Sequence, residues 1–413
     1  MKSQFEPYNE VFGCNLNPEK GNMQLNGTLF RFPLRTEEQA RAPSEISDKV
    51  YNRKEMVELI EIFVKACGNL LLFTQNVNEI EFYHLPATKT DPREAVLLYS
   101  AHRALKHTIE KPFGKSIYTG NEITVLRDMA ESLRVAKRNR HHDLMTISKS
   151  ILQEILINAD NNLKGLDITG YSSKSTWLVT WASGVERSKM MALNSRKKGV
   201  LPLGSVACLL EKQDEDTYST SSLQKSPFGF YQTSHLFCYL PLPVESKFPV
   251  HINGSFAVSS DRRRLSCKTT DDKDAFDSEW NEALISDAIC RAYITFLEHL
   301  PNLNIDPNEH YFKQWPVEDM EQGIFARLKE SFYRTISDAL KQPVVFRRGD
   351  KSVCLNRSKF LDPVLMEAEF AEKAFQMCIE HFENEEITMI RLPKILGTVS
   401  RIMGAIVHLR NEF

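Results

Sequence analysis

The stretch from Ser234 to Arg264 limits this chain more than any other. Leu236, Cys238 and Leu240 alternate with Phe237, Tyr239 and Pro241, a period of two that belongs to a strand. Pro241, Pro243 and Pro249 then remove backbone donors, which excludes a helix and predicts a loop or a sheet edge. Val250, Ile252 and Phe256 predict a second strand pair turning at Asn253-Gly254, a strong short-range hairpin signal. Arg262, Arg263 and Arg264 follow at once and form the densest local positive charge in the chain. Read by residue type, this is a β-hairpin of an α+β domain with a basic tip. Forked guanidinium donors also suit a phosphate or carboxylate, so the three arginines are candidates for an anion or partner contact.

Upstream, Met56, Leu59, Ile60, Phe63, Val64 and Cys67 make one apolar stripe at helical spacing, predicting a helix over 44–67 that Gly68 ends. Leu70 to Phe73 and Glu79 to His84 then read as strands. Glu154 to Asp160 reads as part of an amphipathic helix. Trp177 to Trp181 and Leu203 to Leu210 read as strands, with a helix over 186–198 between them. Residues 211–227 lack an apolar period and predict a surface loop. Ser278 is placed to cap a helix with the stripe Trp280, Leu284, Ala288, Ile289, Ala292, Phe296 and Leu300. Further helices are expected at Ile324 to Leu340, 364–382 and 394–409. Helices and strands without a βαβ rhythm predict the α+β class: a mixed sheet with packed helices, followed by a mostly helical C-terminal region.

The longer motifs add a resemblance. The Leu-Pro-Leu-Pro run from Leu240, the segment Pro249 to Arg263, Asn26 to Arg35, Trp177 to Thr180, Leu201 to Ala207 and Ser278 to Asn281 resemble, in the same order, the internal repeats of the sacsin family. The resemblance implies a fold like the middle domain of the ninety-kilodalton heat-shock chaperones. It divides the chain into three: 1–40, the end of a GHKL-type nucleotide-binding domain; 41–300, the α+β middle domain; and 301–413, a helical domain. It makes Gly27 and Thr28 the remnant of a nucleotide pocket. It also implies a chaperone or co-chaperone role in protein quality control, with protein clients or the seventy-kilodalton heat-shock system as partners. In the heat-shock chaperones a middle-domain arginine reaches the γ-phosphate of ATP, a job open to Arg262, Arg263 or Arg264 by order alone.

Chemistry is sparse. No Gly-x-Ser-x-Gly, P-loop, His-Glu-x-x-His or Rossmann glycine pattern is present, so no enzyme and no cofactor is expected. ATP and magnesium would enter only with a nucleotide domain supplied from elsewhere. Glu154 and Asn158 have the spacing of a GHKL helix that holds magnesium, but they lie downstream of Gly27-Thr28 where the family places that helix upstream. A cryptic ATPase using that pair and a passive interaction scaffold are the alternatives. His141 and His142 point apart on helix or strand and do not share a metal. A net charge of −2 argues against bulk binding to nucleic acid or anionic membrane. No apolar run approaches the length of about 18 residues that a membrane span needs. The eight cysteines have no metal spacing and read as reduced, apolar-face residues. With no apolar signal core after Met1, a cytoplasmic location is expected.

Overall fold

The computed structural model describes residues 37–41, 50–111, 114–116, 123–139, 147–160, 170–197, 199–216, 233–266, 275–303, 311–316, 323–338, 345–348, 351–354, 358–360, 370–382 and 388–390, with positions 6, 9, 28, 30, 34, 163 and 168. Helix α1 (Arg53–Leu72) starts on a reciprocal cap. The Asn52 side chain accepts from the Lys54 and Glu55 amides, and Glu55 accepts from the Asn52 amide. Strands β1 (Glu79–His84), β2 (Val96–Lys111) and β3 (Gly114–Ser116) follow, then α2 (Ile123–Arg138), β4 (Ser148–Ala159), β5 (Tyr171–Ser183), α3 (Arg187–Asn194) and β6 (Leu203–Asp216). The chain continues through β7 (Ser234–Cys238), β8 (Leu240–Ser246) and β9 (His251–Gly254) into α4 (Ala275–Leu284). A single π turn, Ile285–Ile289, joins α4 to α5 (Cys290–His299). Helix α6 (Ile324–Asp338), the hairpin β10 (Val345–Arg348) with β11 (Lys351–Cys354), β12 (Ser358–Phe360), α7 (Ala371–Phe382) and β13 (Thr388–Ile390) complete it.

The main sheet runs β1-β2-β4-β5-β6-β9-β7-β8, with β3 beside β2. Its pairs are antiparallel except β7 with β9, so the sheet is mixed and the class is α+β as expected. Both faces of the central strands are covered. Trp177, Val179 and Trp181 pack on one side with Val64, Cys67 and Leu71 of α1. Leu178, Val206 and Cys208 pack on the other with Trp280, Leu284, Ile289 and Phe296. The expected stripe from Trp280 to Leu300 is buried throughout. Each large apolar side chain so buried contributes about 1.5–3 kcal/mol. Tyr311, Trp315, Leu328 and Phe332 join that same core.

Several local expectations are corrected. Gly68 does not end α1, which runs on to Leu72 because Leu71 and Leu72 are buried against the sheet. Leu70 to Phe73 is therefore not a strand. Termination comes from Arg103 on β2, whose guanidinium donates to the Leu71 and Thr74 carbonyls at 2.7 Å each. Burial pulls that guanidinium down to about 10. Glu154 to Ala159 is strand, not helix: Ile151, Ile155 and Ile157 are buried on one face of β4 while Leu152 and Leu156 stand half-buried on the other, so the apolar residues do not alternate. Asn253-Gly254 is no turn either. It lies inside β9, buried, and Gly254 is small because a side chain there would sit 2.8 Å from Leu284. The hairpin is β7–β8, turning at Tyr239 with φ 62°. Pro241 and Pro243 lie on β8, the sheet edge that the prolines predicted. Ser278 is buried within α4 rather than capping it. Residues 211–216 extend β6, while 217–227 and 394–409 lie outside the described residues. So do Arg140, His141 and His142; Arg134, Lys137 and Arg138 end α2.

Gly204 fixes the close contact between sheet and helix. A side chain there would sit 2.6 Å from the Ile289 side chain and 2.8 Å from its backbone nitrogen, at the π turn. Beside it, the buried Asp287 carboxylate accepts from the amides of Val185, Glu186 and Ser188 at 3.1, 3.0 and 3.2 Å. The Ser188 hydroxyl adds a fourth bond at 2.6 Å. An acid from the π turn thus occupies the N-terminus of α3, where free amides favour negative charge.

Candidate anion-contact site

After β9 the chain crosses to the α4 side and doubles back. Val258 bridges Leu265, and the Ser266 amide donates to the Ala257 carbonyl at 3.0 Å. The tip is built by side chains. Asp261 Oδ1 accepts from Ser259 Oγ at 2.5 Å and from the Arg263 amide at 3.1 Å, while Ser259 Oγ accepts from the Arg264 amide at 3.1 Å. The Ser259 hydroxyl, then the Arg263 amide, hold the Asp261 carboxyl below its ordinary range. Arg262 takes the left-handed φ of 55° that this tight tip requires. Arg262, Arg263 and Arg264 are all exposed, and Arg262 Nη2 donates to the Cys238 carbonyl at 3.1 Å. The structure therefore brings the three predicted arginines together on one short, internally bonded turn.

The base of that turn is stapled to α4. Asn281 accepts from the Ala257 amide at 2.8 Å and donates to the carbonyls of Ala257 and Ser266 at 2.8 and 3.2 Å. Trp280 Nε1 donates to the Ser255 carbonyl at 2.8 Å. Behind it the Tyr239 amide donates to Asn253 Oδ1 at 2.8 Å, the Tyr239 hydroxyl meets Ser255 Oγ at 2.7 Å, and Asn253 Nδ2 donates to Ser205 Oγ at 3.0 Å. Sequence reasoning missed Asn281, Tyr239, Asn253 and Asp261 as positioning residues. One signal was present: an Asn beside a Trp on the buried stripe of a helix, where a polar side chain needs a partner.

No bond that builds this turn reaches Thr28, Glu154 or Asn158. Thr28 is exposed, and Gly27 lies outside the described residues. Glu154 and Asn158 share a strand, so the helix that would present them together is absent. Burial pushes the Glu154 carboxyl up, but hydrogen bonds from Lys106 and Lys174 outweigh it and hold it below the ordinary range. Among the described residues no group of His, Cys, Asp and Glu could hold a metal ion, and no helix is long and apolar enough to cross a membrane. Cys67, Cys208, Cys238, Cys290 and Cys378 are free thiols; burial pushes those of Cys67, Cys208 and Cys290 up to about 12.

Fold and site together define an α+β module: a two-sided mixed sheet that presents a rigid arginine turn at one margin. A family profile described as the Sacsin domain matches residues 1–97. Sacsin of Homo sapiens is 26% identical over 434 aligned residues, covering 95% of this chain and 9% of that protein. The chain thus spans about a tenth of the curated relative it matches, and its similarity is to a sacsin repeat region. No solved structure matches the chain.

Proposed function

We propose that this chain is a sacsin-like, non-catalytic chaperone or co-chaperone module of the cytoplasm, binding partly unfolded proteins or the seventy-kilodalton heat-shock system. The similarity along nearly the whole chain carries this reading. The arginine turn supports a contact role, because its backbone is fixed by Asp261, Ser259 and Asn281 while Arg262, Arg263 and Arg264 stay exposed, Arg262 with one guanidinium nitrogen on the Cys238 carbonyl. Such a preorganised turn loses little entropy on meeting a carboxylate or phosphate of a partner. The relation to GHKL chaperones, with ATP and magnesium held by a separate nucleotide domain, belongs to the same proposal and rests on the order of motifs.

Light scattering from a thermally unfolding client tests it. Added at equal concentration, the chain suppresses scattering in buffer without nucleotide, and the Arg262→Ala, Arg263→Ala, Arg264→Ala triple variant suppresses less. A scattering curve identical with and without the chain would make it a passive scaffold instead.

A further inference from the structure

Strand β1 closes one end of the sheet: it pairs with β2 and, among the described residues, with nothing on its other side. The Asn78 carbonyl accepts from the Arg103 amide at 2.8 Å. Period two then turns the N–H and C=O groups of Glu79 and Glu81 away from β2, toward solvent. The edge at the opposite end, β8, carries Pro241 and Pro243, which blunt it; β1 carries no proline.

Helix α1 flanks this open edge with more apolar surface than the sheet covers. The stripe read from sequence as one core face splits, so that Val64 and Cys67 are buried while Leu59 and Phe63 remain 45% and 44% exposed; Ile62, which lies outside that stripe, is 68% exposed. Phe63 meets Phe82 of β1 edge-on at 5.5 Å, which sets this half-exposed ring, with Leu59 one turn before it, over the last strand. On the other face of β1, the pleat presents Glu79, Glu81 and Tyr83, all exposed, with the Tyr83 hydroxyl donating to Glu81 at 3.1 Å. A strand laid along β1 would have one face beneath Leu59 and Phe63 and the other beside two carboxylates.

We propose that the β1 edge takes an extended segment of another protein in which apolar residues alternate with Lys or Arg, added to the sheet as a further antiparallel or parallel strand. Main-chain bonds to Glu79 and Glu81 supply affinity. The alternation supplies specificity, since a one-residue slip would put basic groups under Phe63 and apolar groups beside the acids. This deepens the binding-module reading by naming the chemistry of what is bound, and its geometry does not use the arginine turn.

The test titrates the full chain with a fluorescein-labelled peptide of about eight residues alternating valine and lysine, read by anisotropy. A valine–glutamate peptide serves as the reversed-charge control. Glu81→Pro removes an outward N–H and leaves the β2 pairing in place, and the pair Glu79→Lys, Glu81→Lys reverses the charge. Both keep the wild-type far-UV circular dichroism and melting temperature. The expected result is binding of the valine–lysine peptide that weakens in salt and falls at least tenfold in each variant. Equal binding of the two peptides, or binding unchanged by Glu81→Pro, overturns the proposal. Dimerisation of the chain that Glu81→Pro abolishes overturns it as well, giving the edge to a second copy. Client protection that survives intact in Glu81→Pro moves client binding off this edge and leaves the module reading standing, so the two failures are separable.

Discussion

Asp287 joins two parts of the molecule that are distant in sequence, and its removal is a sensitive probe of how the sheet and the long helix hold together. Its Oδ2 accepts from the Glu186 amide, the Ser188 amide and the Ser188 hydroxyl, and its Oδ1 from the Val185 amide. A hydrogen bond to a charged group contributes about 1.5–3 kcal/mol, and an orphaned buried donor costs about 1–3 kcal/mol. Four such bonds do not add fully, because water reaches the half-buried Val185 and Glu186 amides once the carboxylate is gone. Asp287→Ala is therefore expected to lose about 3–5 kcal/mol. Asp287→Asn, with its oxygen at the Oδ2 position, keeps three neutral bonds and sets an amide NH2 against the Val185 N–H, losing about 2 kcal/mol. Urea unfolding of each variant, followed by circular dichroism and by tryptophan fluorescence (Trp181 and Trp280 lie in the two cores), gives both numbers. An Asp287→Ala loss below about 1 kcal/mol, or a ranking with Asn costlier than Ala, refutes the reasoning.

Acid sensitivity follows from three groups. Burial pulls His251 down to about 3, helped by the neighbouring His235, and pulls His299 down to about 4. Both stay neutral in the fold while the unfolded chain protonates them below about 6.5, so stability falls as pH drops through that window. Burial pushes Glu298 up to about 7, so the fold holds a proton that the unfolded chain releases, and stability rises as pH falls from about 7 to 4.5. The net between pH 6.5 and 4.5 is one proton, about 1.4 kcal/mol lost per unit, and Glu298→Gln doubles the slope to about 2.7; urea midpoints across that range check it. Asn281→Ala removes all three side-chain bonds at the base of the arginine turn and costs about 2–3 kcal/mol. Hydrogen exchange at 257–266 should accelerate in that variant more than elsewhere, and uniform acceleration contradicts the stapling.

The parts of the fold legible in sequence were those with one buried face or a specific breaker. The stripe from Trp280 to Leu300 has helical period and is buried as read. The prolines of β8 fixed a sheet edge, and Arg262 to Arg264 lie at a turn tip. What failed did so where burial is two-sided or a distant residue decides. The run Ile151 to Ile157 does not alternate, because Leu152 and Leu156 add apolar residues to the face opposite Ile151, Ile155 and Ile157, which is why a strand reads as a helix. Gly68 was read as an end because the true end depends on Arg103, 31 residues beyond Leu72 in sequence. Asn253-Gly254 carries a hairpin signal, yet Gly254 serves close packing on Leu284. The arginines were visible, whereas Asn281 and Tyr239 act through contacts that only the folded chain assembles.

The binding of non-native protein without nucleotide is tested most directly by size-exclusion chromatography of the chain mixed with a reduced, carboxymethylated protein that cannot refold. Co-elution in nucleotide-free buffer, unchanged when ATP and magnesium are added, is the expected result. Separate elution under both conditions, or a complex that forms only with ATP, contradicts it.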